Sequence, residues 1–254
     1  MEEQELKEFL DYKANEFNNP GFIKDDPIGV PHRYSLKEDI EISGLLVSII
    51  AWGNRKAIVR SGHLMMDLLG NSPYDFVMSH KNRDLGRLEG FVHRTFNGID
   101  FVHFIKALKN LYETTAGIES IFFKNAAPDS LQPAIHEFKK IIYSSPYPAR
   151  TAKHVPDPFK GSAAKRINMY LRWMVRKDKN GVDFGIWPTI SQSILSCPLD
   201  IHSGNTARKL GLLTRTQNDS KAVAELDRNL RQLDSNDPVK YDFALFGLGI
   251  FEKL

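Results

Sequence analysis

A single cysteine, Cys197, is all that this 254-residue chain contains. An intrachain disulfide is therefore excluded, as is any zinc site or iron–sulfur cluster held by several thiolates. No apolar run reaches the about 18 residues that a membrane-spanning helix needs, so no membrane partner is expected. The first residues, Met1-Glu2-Glu3-Gln4-Glu5, are acidic and lack the apolar core of a secretory signal; the expected location is the cytoplasm. The eight histidines show no His-Glu-x-x-His or other paired spacing of a metalloenzyme, so neither a metal nor a cofactor is expected. Excess charge is scarce as well: the formal net charge is +3, too small to mark a nucleic-acid binder. Internal repeats and low-complexity segments are missing, and no alternating strand pattern rivals the helical ones in length. Nothing in the sequence sets the oligomeric state.

Hydrophobic residues make up 42% of the chain, which suits a soluble globular fold. Their spacing predicts an all-α protein. A first helix is expected near residues 2–16, with Leu6, Phe9, Leu10 and Tyr12 inward. Ser35, with Glu38 three residues on, has the pattern of a capping box. The run from Ile40 to Trp52 is apolar on nearly every side and is placed in the core. Helical spacing resumes from Lys56 to Leu69, with Ile58, Leu64, Met65, Leu68 and Leu69 inward. Asp100 is the expected cap of a helix reaching Tyr112. Further helices are expected near 131–143, 163–176, 201–210, 220–233 and 238–246, and four prolines make 145–159 an irregular connector. A small β element remains open.

Charge is uneven along the chain. From Arg150 to Lys179 the basic residues are Arg150, Lys153, Lys160, Lys165, Arg166, Arg172, Arg176, Lys177 and Lys179, opposed only by Asp157 and Asp178. Such a run is either a solvated face or a footprint for phosphates. Within it, Gly161 offers a turn and Ser162 a cap for the helix that follows. A small-residue turn entering a helix exposes backbone N–H groups to which a phosphate can bind. Lys165 would stand in the first turn, where the helix dipole and Arg166 disfavour a cation and favour the neutral amine as a nucleophile. Read alone, it is equally an ordinary helix-start lysine. Asp200 likewise caps a helix ending before Gly211, or holds a carboxylate beside a cleft.

The stretch Gly161-Ser162-Ala163-Ala164-Lys165-Arg166-Ile167-Asn168-Met169-Tyr170-Leu171 resembles the hairpin and second helix of the helix-hairpin-helix DNA glycosylases. Leu199-Asp200-Ile201-His202, followed by Ala207-Arg208-Lys209-Leu210-Gly211-Leu212, is similar to that superfamily's aspartate-bearing stretch. Ser48 to Lys56 resembles the early helix and turn that approach the damaged pair, and Tyr241 to Phe246 the late helix lining the base pocket of 8-oxoguanine glycosylases. The whole chain resembles a bacterial family of unknown function inside this superfamily. Three departures stand out. Ala163 occupies the place of a second glycine, the usual Leu-Pro is missing, and Lys165 and Asp200 are unusually far apart, as in archaeal 8-oxoguanine glycosylases. The four-cysteine loop of endonuclease III-like members is also missing, so no iron–sulfur cluster is implied.

The resemblance implies a two-lobed helical fold. Residues 36–145 would form mainly one lobe; residues 1–35 and 146–254 would form the other and carry the hairpin. It implies a base-excision glycosylase acting on double-stranded DNA with a flipped damaged base, oxidised bases among the candidates. Lys165 would attack the sugar and could cleave the strand through a Schiff base, while Asp200 would stabilise the developing positive charge. Gly161, Ser162, Ala163, Arg166, Asn54 and Arg55 would contact DNA, with Arg172 and Arg176 nearby. Trp52, Trp187, Asp242 and Phe246 are candidates for the base pocket, and Trp173 is a further stacking candidate. The alternatives are a non-catalytic DNA-binding protein that kept the fold and a helical scaffold for protein partners.

Overall fold

The apolar periodicity becomes helix almost throughout. A computed structural model describes residues 2–252; Met1, Lys253 and Leu254, the ends of the expected lobes, lie outside the described residues. The helices are α1 (Glu3–Phe17), α2 (Lys37–Ile50), α3 (Arg55–Leu68), α4 (Pro73–Ser79), α5 (Asn82–Leu85), α6 (Gly98–Thr114), α7 (Ile118–Lys124), α8 (Gln132–Ile142), α9 (Lys165–Val175), α10 (Ile201–Lys209), α11 (Ser220–Leu233) and α12 (Tyr241–Ile250). Short 3-10 turns fill much of the connecting chain, including Pro20–Asp25, Pro27–Gly29 and Pro158–Lys160. One antiparallel hairpin, β1 (Val92–His93) with β2 (Phe96–Asn97), pairs Val92 with Asn97 and His93 with Phe96. It is the only sheet among the described residues. No helix among them is long and apolar enough to cross a membrane.

Several caps differ from the sequence reading. Ser35 does not cap α2; Leu36 holds that position without a side-chain bond. Glu38 and Asp39 in the first turn offset the helix dipole instead, and Asp39 accepts from the Tyr74 N–H at 2.8 Å. Asp100 does not cap α6 either. Asn97 does, and Asp100 returns the bond to the Asn97 N–H, closing a capping box. Tyr12 and Leu64 are exposed. The buried faces of α1 and α3 run along Leu10 and Ala14, and along Ile58, Gly62, Met65 and Met66, which leaves those two residues on the solvent side.

Burial divides the apolar residues into two clusters. The larger gathers α2 to α9, and α2, buried without a break from Ile40 to Ile50, runs through it against α9. The smaller gathers α1, α10 and α11. α12 straddles them: Phe243 packs in the larger, while Tyr241, Ala244, Leu245 and Leu248 pack in the smaller. A helix start from each cluster therefore comes to the same seam.

Candidate active site

α9 begins in an unusual turn. The Asp157 side chain accepts from the Phe159 N–H at 3.0 Å, and its carbonyl accepts from Lys160 and Ser162. Gly161 follows at φ 86 with open space where a Cβ would stand, so backbone conformation rather than room calls for glycine. Ser162 is not the helix cap. Its Oγ accepts from the Ala164 N–H at 3.1 Å, and Ala164, left-handed at φ 47, is the residue before the first helical turn. Ala163 is not among the positive-φ residues, so its lacking the second glycine of the motif carries no backbone penalty. The Gly161 carbonyl accepts from the Ser220 N–H at 3.1 Å, tying the turn to α11. The backbone N–H groups of Lys165 and Arg166 have no acceptor among the described residues, as expected for a first turn.

Asp200 is both a cap and a cleft residue. Oδ1 accepts from the N–H groups of His202 and Ser203 at 2.8 and 3.0 Å. The Asp200 carbonyl accepts from the Asn218 side chain at 2.8 Å, and Arg208 braces Asn218 at 2.6 Å. A side chain at Gly204 would collide with both, which explains a glycine inside this helix. Oδ2 is left facing Lys165, with Nζ 4.0 Å away. Lys165 Nζ also lies 3.5 Å from the Met169 sulfur. The two side chains are 28% and 23% accessible, so an amine and a carboxylate meet within reach of a ligand.

They open onto a cleft of about 870 Å³ whose walls come from both clusters. Of the residues picked out by sequence, Trp52, Arg55, Ser162, Ala163, Lys165, Arg166, Arg172, Trp173, Asp200, Asp242 and Phe246 line it. Gly161 and Asn54 do not; Asn54 caps α3 by accepting from the Ala57 N–H at 3.1 Å. Arg55 lies over the Phe246 ring at 5.1 Å. Trp187 belongs to the core, 1% exposed, with its indole N–H donating to Glu41 at 2.6 Å and its ring between Phe122 and Tyr170. It is not a base-pocket residue.

The basic run is also not one surface. Arg172 and Arg176 are buried. Arg172 donates to Asp183 and Asp242; Arg176 donates to Asp237, Asp178 and Asp183. Their charges are spent on buried and half-buried carboxylates, which corrects the expectation that they hold phosphates. Arg166 lies over the Trp52 ring at 4.8 Å and donates to the Ile49 carbonyl near the end of α2; burial pushes its pKa down to about 10. Lys153, Lys160, Lys177 and Lys179 are exposed. Deep in the cleft, burial pushes the Asp242 carboxyl up to about 6, against the pull of Arg172.

Several wall residues were outside the sequence reading, and two of them stand on one connection. Phe22 and Asp26 come from the Pro- and Gly-containing connection between α1 and α2. Asp26 precedes a proline, which marks a turn, but nothing local says that the turn is buried against α2 and α3. Over residues 26–251 the chain matches the family described as Protein of unknown function (DUF2400), and it belongs to that family. No curated protein and no solved structure matches it.

Proposed function

We propose that this family member is a DNA glycosylase of the helix-hairpin-helix superfamily, with Lys165 as nucleophile and Asp200 as its electrostatic partner. One observation carries the reading: two helix starts from different apolar clusters bring Lys165 Nζ within 4.0 Å of Asp200 Oδ2 at the mouth of a cleft. Either residue alone is a commonplace of helix ends. Further support comes from the cleft's aromatic walls, which suit a planar base, and from the unsatisfied N–H groups at the start of α9, which suit a phosphate.

The chemistry follows from the positions. A base must leave the duplex stack to reach such a cleft, and unstacking costs least for a damaged one. The lone pair of Lys165 Nζ attacks the anomeric carbon. The carbon–base bond breaks, its electron pair leaves with the base, and the base takes up the proton that the attacking amine gives up. The Asp200 carboxylate stabilises the positive sugar formed on the way. Loss of the amine proton and ring opening give a Schiff base, from which β-elimination can cut the strand.

The test is borohydride reduction of mixtures of protein and duplex DNA carrying a damaged base or an abasic site. A covalent complex that disappears in Lys165→Gln, while DNA binding persists, is the expected result. Salt-dependent DNA binding without any trapped complex would instead leave a non-catalytic DNA-binding protein. No DNA binding at all would turn the reading toward a scaffold for protein partners.

A further inference from the structure

A buried carboxylate with an idle oxygen is costly, because burial penalises the charge and proteins normally pair or fully bond it. Asp26 is such a group. It stands between the turns Pro20–Asp25 and Pro27–Gly29, is 7% exposed and lines the cleft. Oδ1 accepts from the Ile28 N–H at 3.1 Å, capping the second turn. Among the described residues Oδ2 accepts no hydrogen bond and no cation stands within ion-pair distance. Burial raises its pKa, although Arg55, Arg172 and Lys165 attract its charge from further away.

Capping alone does not account for this residue, since Asn or Ser would cap equally well without burying a charge. The other cleft carboxylates are engaged: Asp200 with α10 and Lys165, Asp242 with Arg172. Asp26 is also more buried than the Lys165–Asp200 pair and lines the same cleft.

We infer that Asp26 reads the base held in the cleft, accepting hydrogen bonds from an edge with an amino group beside a ring N–H. This rests on the glycosylase reading of the same cleft. An ionised carboxylate only accepts, and each oxygen has about two sites. Oδ2 is free for one donor, and Oδ1 keeps a site for the other. A guanine-type edge supplies two adjacent donors. The uracil-type edge, a ring N–H flanked by carbonyls, sets oxygen against oxygen and is disfavoured.

Asp26→Asn keeps an oxygen for the Ile28 N–H and removes the charge. The probes are duplexes with one oxidised guanine, hypoxanthine, uracil, 5-hydroxyuracil or an abasic site. Trapping at the abasic site involves no base and reports Lys165 chemistry alone. The wild type should release oxidised guanine in preference to the uracil-type bases. The ratio of that release to abasic-site trapping should fall by about 10- to 100-fold in Asp26→Asn, the worth of a charged hydrogen bond. Asp26→Ser, which also caps, should lose as much and serves if the first variant does not fold. An unchanged ratio overturns the inference. So does a wild-type preference for uracil-type bases, or abasic-site trapping with no release of oxidised guanine. A wild type that does not trap even the abasic site sinks the glycosylase reading itself, and the inference with it.

Discussion

The two ends of α9 carry the same charge in sequence and have opposite fates. At its start, Lys165 is partly accessible and faces a single carboxylate at 4.0 Å. At its end, Arg172 and Arg176 are buried among Asp178, Asp183, Asp237 and Asp242. Arginine suits the closed end because its planar fork serves two carboxylates at once. Lysine suits the open end because a single amine can lose its proton and act as a nucleophile. One end is closed by ion pairs and the other is where the proposed chemistry would take place, and variants at each should separate cleanly.

The closed end should give the largest effect on folding. Arg172→Met leaves Asp242 buried without its partner, with Asp183 held only by Arg176. The expected loss is about 3–5 kcal/mol of unfolding free energy, as for one member removed from a buried pair, read by urea denaturation. The loss should grow with pH. Asp242 already sits near 6, above its unfolded value, and removal of Arg172 raises it further. A carboxyl with a raised folded pKa keeps its stability below about pH 4 and loses it as pH rises through the folded value. The deficit should therefore be smaller at pH 5 than at pH 8. A pH-independent loss below about 1 kcal/mol would mean that the buried pairs do not hold this end.

The open end should give the converse. Asp200→Asn keeps a cap, since Asn serves α10 as well as Asp, so unfolding should change by less than about 1 kcal/mol. The charge facing Lys165 is gone, and single-turnover base release should slow by a factor on the order of 10². If stability falls and the rate does not, Asp200 is a cap alone.

Much of this arrangement was legible in sequence, for identifiable reasons. Helix periodicity is local, so α11 begins and ends where the spacing placed it, at Ser220 and Leu233. Lys165 and Asp200 stood out because each lies in its own recognisable stretch. Residues whose role depends on distant neighbours did not stand out correctly. Arg172 and Arg176 looked like phosphate ligands because Asp183, Asp237 and Asp242 are remote or follow a turn. Trp187 looked like a stacking platform because its partner, Glu41, is 146 residues away. Asp26 was passed over because a turn residue before proline is normally solvated, and only the packing of its two turns against α2 and α3 buries it.

The smallest effect is expected at Ala164, immediately before the open end of α9. A non-glycine residue at φ 47 costs about 1–2 kcal/mol in the left-handed region. Ala164→Gly relieves that strain. It also frees the unfolded chain, worth about 0.4–1 kcal/mol, and removes a buried methyl worth up to about 0.8 kcal/mol. These terms nearly cancel, so stability should stay within about 1 kcal/mol of wild type. In Gly161→Ala the unfolded-chain term offsets only part of the strain at φ 86, and the added methyl meets no packing partner, so about 1 kcal/mol should be lost. Denaturation of both variants reads the contrast. A gain above about 1.5 kcal/mol in Ala164→Gly, together with slower trapping at Lys165, would mean that the strain is stored beside the nucleophile for its positioning. A gain with unchanged trapping would make it a tolerated flaw of the turn.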